Sequence, residues 1–553
     1  HSYLMKKLLF VAIISVLAGI NSTYAQYNIE NLKLTYGEEI TDEKGKIVKI
    51  IGESNDKIYA LGLKGKNYFL KIFTSKDMKL VSNKPILLPE VKDKDIDFEE
   101  IIMLNGKVFV IGSVYQSKEK IFKLVGIEFS EDGKLSNNMI PLFEAEVEKK
   151  SRRGDFYFKT SADETKLLAM HASLFSKEDA MKYDLKLFDS NLKNIFSNSE
   201  KVSFDDNKKN FEFTISDFDV NYKNDAFLVI NESYRDSKKK EKVEKFQVFA
   251  FKQNNGYKKE IIDINFKGKE IINCSMMSTS NDKVQLVGFY SSVRENGKAN
   301  RELKGVFNAT IDINTNINDN LKFNEFDYAT KVKLLGERKA KKGKDVKPYY
   351  KIHTIIEKND GGLIVLSEER FIYVGQTQGI GPLGLTPITY YTNEMIVTSL
   401  KPDGSLEWSN VVAKDQNATA TVASLGMFGT GGSGGFNVAI GVSFQLGVMG
   451  KGPEYLSAIP IYADGQLNIL FNDNKKNKGI TDMDEIKSLG NYNNAVPTLF
   501  QFDNQGNITR KDPEEVIKNE LVIRPGVYYR KNNKEFIIYA SRKSQDKLGR
   551  MTL

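Results

Sequence analysis

The stretch 426-GMFGTGGSGGFNVAIGVSFQLGVMG-450 is the first place to look for chemistry, because glycine loops cradle phosphates. A phosphate loop needs a Lys-Ser or Lys-Thr pair after its glycines and a helix behind them, whose N-terminal N–H groups meet the anion. Here the glycines run into Phe436, Val438 and Ile440, and the nearest lysine is Lys451. The letters 431-GGSGG-435 imitate a nucleophile elbow without the strand, turn and helix that would present the serine. Imidazole and thiol are scarce. Beyond residue 25 only His171 and His353 remain, each in or beside an apolar run, and Cys274 is the sole cysteine. Such a set argues against a histidine metal centre and against a Cys/His dyad, and favours packing roles for all three. Carboxylates are the remaining option. The run 93-DKDIDFEE-100 offers Asp97, Glu99 and Glu100, and paired acids are what glycosidases use. In 472-NDNKKNKGITDMDE-485 the lysines Lys475, Lys476 and Lys478 oppose a calcium ion. The residues therefore predict no catalytic constellation, no metal and no cofactor.

The rest of the composition sets the scale and the compartment. The chain has 553 residues, 41% of them apolar and 11% aromatic, enough to bury a large core. With 34 Phe and 25 Tyr against 12 Pro it leans toward strands, since aromatic rings suit a pleated, half-buried surface. Lys6 and Lys7 precede the apolar run 8-LLFVAIISVLAGI-20, and Thr23-Tyr24-Ala25 ends in a small residue. This reads as a secretory signal peptide occupying residues 1–25 with its upstream residues, leaving Gln26 as the mature N-terminus. No cysteine follows that site to take a lipid, and Cys274 has no intrachain partner for a disulfide. No other stretch has the roughly 18 apolar residues of a membrane helix, so the mature chain is expected to lack one. The net charge of +8 falls to +6 without Lys6 and Lys7. The runs 237-SKKKEKVEK-245 and 338-RKAKKGKDVK-347 are interleaved with acids or glycine and read as solvated loops, not as a nucleic-acid surface.

What must position any site is a repeat. A turn of Asn, Asp, Gly or Lys launches an apolar strand in 55-NDKIYALG-62, 105-NGKVFVIG-112, 163-DETKLLAM-170 and 224-NDAFLVIN-231. The same pattern returns in 281-NDKVQLVG-288, 359-NDGGLIVLS-367, 464-DGQLNILF-471 and 532-NNKEFIIYAS-541. Asn, Asp and Gly tolerate the positive φ of tight hairpins. Many launches have an apolar run before them and a strand, turn and strand after them, as in 121-IFKLVGIEFSEDGKLS-136. The unit is four antiparallel strands, mostly about 50 to 60 residues apart. Such sheets cover both of their faces only by stacking around an axis, so the fold predicted is an all-β propeller of seven or eight blades filling 26–553. The last launch has only 548-LGRMTL-553 after it, and 31-NLKLTYGEEI-40 is strand-like, so the two chain ends are expected to pair and close the ring.

Two segments break the repeat, one at about 370–394 and one at about 417–453. The first, 370-RFIYVGQTQGIGPLGLTPITYYTNE-394, falls between the second and third strands of a blade, and the second follows that blade. Both therefore belong to one side of the ring, where they can lie together, with the glycine-rich stretch standing out from the propeller. Exposed apolar loops are costly unless something covers them. Phe371, Tyr373, Tyr390, Tyr391, Phe428 and Phe436 are the expected partner-binding anchors, because buried aromatic side chains dominate interface energetics.

At 359-NDGGLIVLSEERF-371, 394-EMIVTSLKPDGSLEWSNVVAKDQ-416 and 546-DKLGRMTL-553 the chain resembles a family of large secreted proteins of Bacteroidota. The Tyr-Ala-Gln sequence at Tyr24–Gln26 has the look of that phylum's signal peptides. The resemblance covers mainly residues 350–553, implies an exported propeller-like protein and carries over no catalytic residue. The chain is expected in the periplasm or at the outer membrane, or outside the cell. The reading that results is a binding or scaffolding module for another envelope protein. The alternative is a carbohydrate-active propeller enzyme with paired carboxylates in its central funnel, for which a glycan is the partner.

Overall fold

In the computed structural model the described residues are 26–41, 44–178, 180–204, 208–292, 301–318, 320–376, 386–422, 436–438, 453–515 and 520–553. The segment read as a signal peptide and Phe428 lie outside them. Blade 1 consists of Lys46–Ser54, Lys57–Lys64, Asn67–Thr74 and Leu80–Pro85, hydrogen-bonded in that order and antiparallel throughout. The pattern repeats over 97–146, 155–203, 208–264, 270–325, 350–412, 458–511 and 522–552, which makes eight blades, the larger of the two expected counts. Each launch turn read in the sequence leads into the second strand of its blade. Asn105 and Gly106 take φ of 47° and 77°, and Asp464 and Gly465 take 51° and 74°, the left-handed backbone that tight hairpins need.

Ring closure also follows the expectation. Blade 8 has only Val522–Arg530, Glu535–Arg542 and Gln545–Thr552 from the C-terminal end, and Leu32–Tyr36 supplies its fourth strand. The pairing runs from Lys33 opposite Thr552 to Tyr36 opposite Gly549. Gln26–Ile29 adds a further strand outside it.

A hydrophobic core separates each pair of neighbouring blades, including blade 8 from both 7 and 1. Between blades 3 and 4, for example, Met170 and Tyr183 meet Phe213 and Leu228. Each fully buried side chain of this kind stabilises the fold by about 1.5–3 kcal/mol. Because both sheet faces are covered, the inner strands read as continuous apolar runs. The innermost strands of blades 4 and 5 are tied directly, the carboxylates of Asp217 and Asp219 accepting the N–H groups of Met276 and Ser278, each at 2.8 Å.

The sequence reading missed two local features. The first strand of blade 5 is broken into Glu270–Ile271 and Ser275–Ser278. The connection from blade 5 to blade 6 holds the helices Tyr328–Leu335 and Glu337–Lys341, so the basic run at 338–347 begins in a helix rather than a loop. Asp327 starts the first helix by accepting the Thr330 N–H. Among the described residues no helix is long and apolar enough to cross a membrane.

Candidate functional site

Blade 6 departs from its neighbours. Its second and third strands, Leu363–Val374 and Thr386–Leu400, outrun the blade and stay paired as far as Val374 opposite Ile388. The first strand, Tyr350–Glu357, reaches only to Glu369, and the fourth, Leu406–Val412, only to Met395. The chain then turns back, and Gln416–Val422 lies along the free outer half of the third strand, Thr392 opposite Gln416 and Thr386 opposite Val422. The two insertions thus begin as one three-stranded arm. Thr386–Leu400 is rich in β-branched and aromatic residues, and 417-NATATV-422 alternates small and polar ones, as a strand with one covered face should.

The arm has an inner and an outward face. Ile388, Tyr390, Ala418 and Ala420 are buried against Leu456 and Tyr492, which belong to connections around blade 7. On the outward face Phe371 and Tyr391 stack with ring centroids 4.5 Å apart, Tyr349 joins them at 5.7 Å, and Thr389 shares a hydrogen bond with Thr419. Tyr373 continues this face and is 63% exposed. Of the expected anchors, Phe371, Tyr373 and Tyr391 therefore share one surface. Tyr390, at 3% exposure, packs the opposite face and is placed to hold the arm, not to touch a partner. Phe436 lies in the short strand Phe436–Val438, which pairs in parallel with the innermost strand of blade 4 at Phe213–Ile215. The described part of the glycine-rich stretch thus folds onto the propeller instead of standing out from it, because a strand edge with open N–H and C=O groups was free there.

A buried polar knot fixes the foot of the arm. Glu368 pairs with Lys414 at 2.9 Å and with Arg370, and it accepts a hydrogen bond from the Ser457 hydroxyl at 3.1 Å. Lys414 donates to the Thr392 carbonyl at 2.7 Å, and Gln416 accepts from the Ser457 N–H at 2.8 Å while donating to the Asn472 carbonyl. Burial alone would raise the Glu368 carboxyl, but the Lys414 and Arg370 cations overcome it and hold it down to about 2. His353 sits at a bulge of the first strand, its Nε2 3.2 Å from Ser457 Oγ, and burial pushes its imidazole down to about 4. This Ser–His contact is not a nucleophile and base. Ser457 is 5% exposed, its hydroxyl is engaged by Glu368 and Arg370, and the other ring nitrogen of His353 faces the Thr354 hydroxyl.

His171 is buried with its Nε2 2.6 Å from the Arg153 carbonyl, and Cys274 is buried between blades 4 and 5. Glu100 turns toward blade 1 and pairs with Lys49 at 2.8 Å, whereas Glu99 meets Ser113 within its own blade. Asp97 lies exposed at the strand start. Burial first, then the nearby charges of Asp155 and Asp97, raises the Glu99 carboxyl, whereas Glu100 points away from them to Lys49. Glu394 lies against Glu369, and burial first, then that neighbouring charge, raises its carboxyl while Tyr350 donates to it. This pair spans the second and third strands of blade 6 and was not legible in the sequence. At the turn-bearing end of blades 6 and 7 a cavity of about 360 Å³ is lined by Lys358, Asp360, Glu407, Trp408, Tyr462 and Phe502.

No protein-family model and no curated protein matches the chain. Among solved structures it is similar to the WD40 domain of SCAP from fission yeast, at 8% identity over 95% of this chain and 98% of that one, with a TM-score of 0.35. It is similar to the Dos1 propeller, at 9% identity over 93% and 94% of the two chains with a TM-score of 0.36. It is also similar to the polysaccharide lyase Uly1, at 10% identity over 97% and 95% with a TM-score of 0.31. The fold assignment rests on the chain's own sheet order, which is that of an eight-bladed β-propeller.

Proposed function

We propose that the chain is an exported binding module that captures a protein partner at the bacterial envelope, with the outward face of the blade 6 arm as its contact surface. The observation that carries this reading is the arm itself. It holds Phe371, Tyr373 and Tyr391 on one surface outside the propeller cores, on a foot made rigid by a buried ion-paired knot. Aromatic anchors on a preorganised support are what a binding surface needs, since little freedom is then lost on association. Export is supported by the signal-like residues 1–25, and the envelope of a member of the Bacteroidota by the resemblance of residues 350–553. The test is a Phe371→Ser, Tyr373→Ser, Tyr391→Ser variant used as bait in native envelope extract, with the captured protein identified and then purified. Loss of that capture at unchanged melting temperature is expected; retention removes the arm from the reading.

A glycan is the second reading, favoured by the cavity between blades 6 and 7. There the single tryptophan, Trp408, stands beside Glu407, Asp360 and Lys358, an apolar platform next to polar groups already held in place by the 2.6 Å Lys358–Glu407 pair. Titration with oligosaccharides should then change the fluorescence of Trp408, and an unchanged signal across a panel removes this reading.

A further inference from the structure

The arm carries a second recognition element besides its aromatic face. The first strand of blade 6 stops opposite Glu369, so beyond it the segment Phe371–Val374 forms a sheet edge. The direction of its backbone groups is set by two hydrogen bonds. The Arg370 N–H points away from the arm to the Tyr349 carbonyl at 2.9 Å, and the Gly375 N–H points into the arm to the Pro387 carbonyl at 2.8 Å. Backbone direction alternates along a strand, so the N–H and C=O groups of Ile372 and Val374 point outward. Among the described residues nothing pairs with them. Their side chains are 38% and 48% exposed.

Open edges are normally blunted with charge, proline or a bulge. The outer strands of other blades show this: Leu80–Pro85 has Lys84 and Pro85, Ile140–Glu146 has Pro141 with a bulge, and Ile508–Lys511 has Arg510. Phe371–Val374 has no such device. We infer that this edge takes up an extended segment of the partner protein as an added strand. The segment's main chain would pair with Ile372 and Val374, and its alternate side chains would lie beside Tyr373 and Phe371. A second folded copy is the weaker occupant, because the exposed parts of Tyr349, Phe371, Ile372, Tyr373, Val374 and Tyr391 fall short of the roughly 800 Å² per partner of a stable interface. An extended segment needs less, since main-chain bonds supply its affinity and alternate side chains its specificity. This inference rests on the arm being the contact surface.

The probe is a phage-displayed library of random peptides of about eight residues, panned on the full chain, with enriched peptides synthesised and their affinity measured. Enrichment of alternating β-branched and aromatic residues is expected. Ile372→Pro removes one outward N–H at an edge position where proline is tolerated, and should weaken binding about tenfold without lowering the melting temperature. Independently, N-methylation along a bound peptide should weaken binding at every second amide only. Loss of binding in Tyr373→Ser with no effect of Ile372→Pro and no period of two would overturn the added strand while leaving the arm's face as the contact surface. Indifference to every arm substitution, or no enrichment at all, would end both. A concentration-dependent dimer of the free chain that Ile372→Pro abolishes would also overturn the inference, by making a second copy the occupant.

Discussion

The pairing of the two chain ends can be tested from both directions. Leu34 is 3% exposed, lies opposite Met551 and packs among Ile538 and Met551 in the core between blades 7 and 8. Leu34→Ala removes a buried side chain and leaves a cavity, at a cost of about 2–5 kcal/mol. Unfolding entropy of about 2.1 cal/mol/K per residue over roughly 530 residues makes each kcal/mol worth about 1 °C, so the melting temperature should fall by about 3 °C. The opposite perturbation is Lys33→Cys with Thr552→Cys, whose Cα positions are directly paired. A disulfide there closes a loop of about 520 residues, and the chain-entropy model gives at most about 6 kcal/mol, a rise of about 5 °C. Cys274 is buried and will not compete for the oxidant. The assays are calorimetry and non-reducing peptide mapping. If the two cysteines stay reduced under mild oxidation, or if Leu34→Ala melts with the parent, the ring is not closed by its ends and the closure reasoning fails.

Lys414→Met should leave Glu368 buried with half its counter-charge and cost about 3–5 kcal/mol in urea titration, whereas removing Glu368 and Lys414 together should cost less than the two single changes summed. His353 has a folded pKa of about 4, below its unfolded value of about 6.5, so the unfolded chain binds the extra proton between those values. Its contribution is whole above pH 6.5 and is lost as pH falls toward 4. Relative to His353→Asn, the parent should lose about 3 kcal/mol between pH 7 and pH 4, and parallel stability curves would refute the buried neutral imidazole. Tyr390→Ser should destabilise by about 3 kcal/mol, since it empties a packed face, and Tyr373→Ser by less than about 0.5 kcal/mol. Equal losses in thermal melts would mean that the two faces of the arm are assigned the wrong way round.

The sequence by itself determined the unit and its closure. The turns at Asn105–Gly106 and Asp464–Gly465 are local, needing only residues that accept positive φ, and the runs that follow need only apolar side chains for a sheet covered on both faces. The fourth strand of the last blade was legible as the strand-like segment 31-NLKLTYGEEI-40, whose Leu32–Tyr36 pairs with Gln545–Thr552. That both insertions leave one side of the ring followed from counting strands.

The tertiary structure decided everything that depends on register or on distant segments. Tyr390 and Tyr391 are neighbours of the same type, and which one faces outward depends on a bulge between Glu368 and Arg370 that resets the pairing. The strand Phe436–Val438 meets blade 4 through backbone groups, which any sequence carries, so no side chain announces the contact. The knot at the foot of the arm joins His353, Glu368, Arg370, Lys414 and Ser457, residues scattered over about 100 positions and each unremarkable alone. Only the ring brings them together, and only burial, which strips away water and leaves charge to be balanced by charge, turns them into a support for the arm.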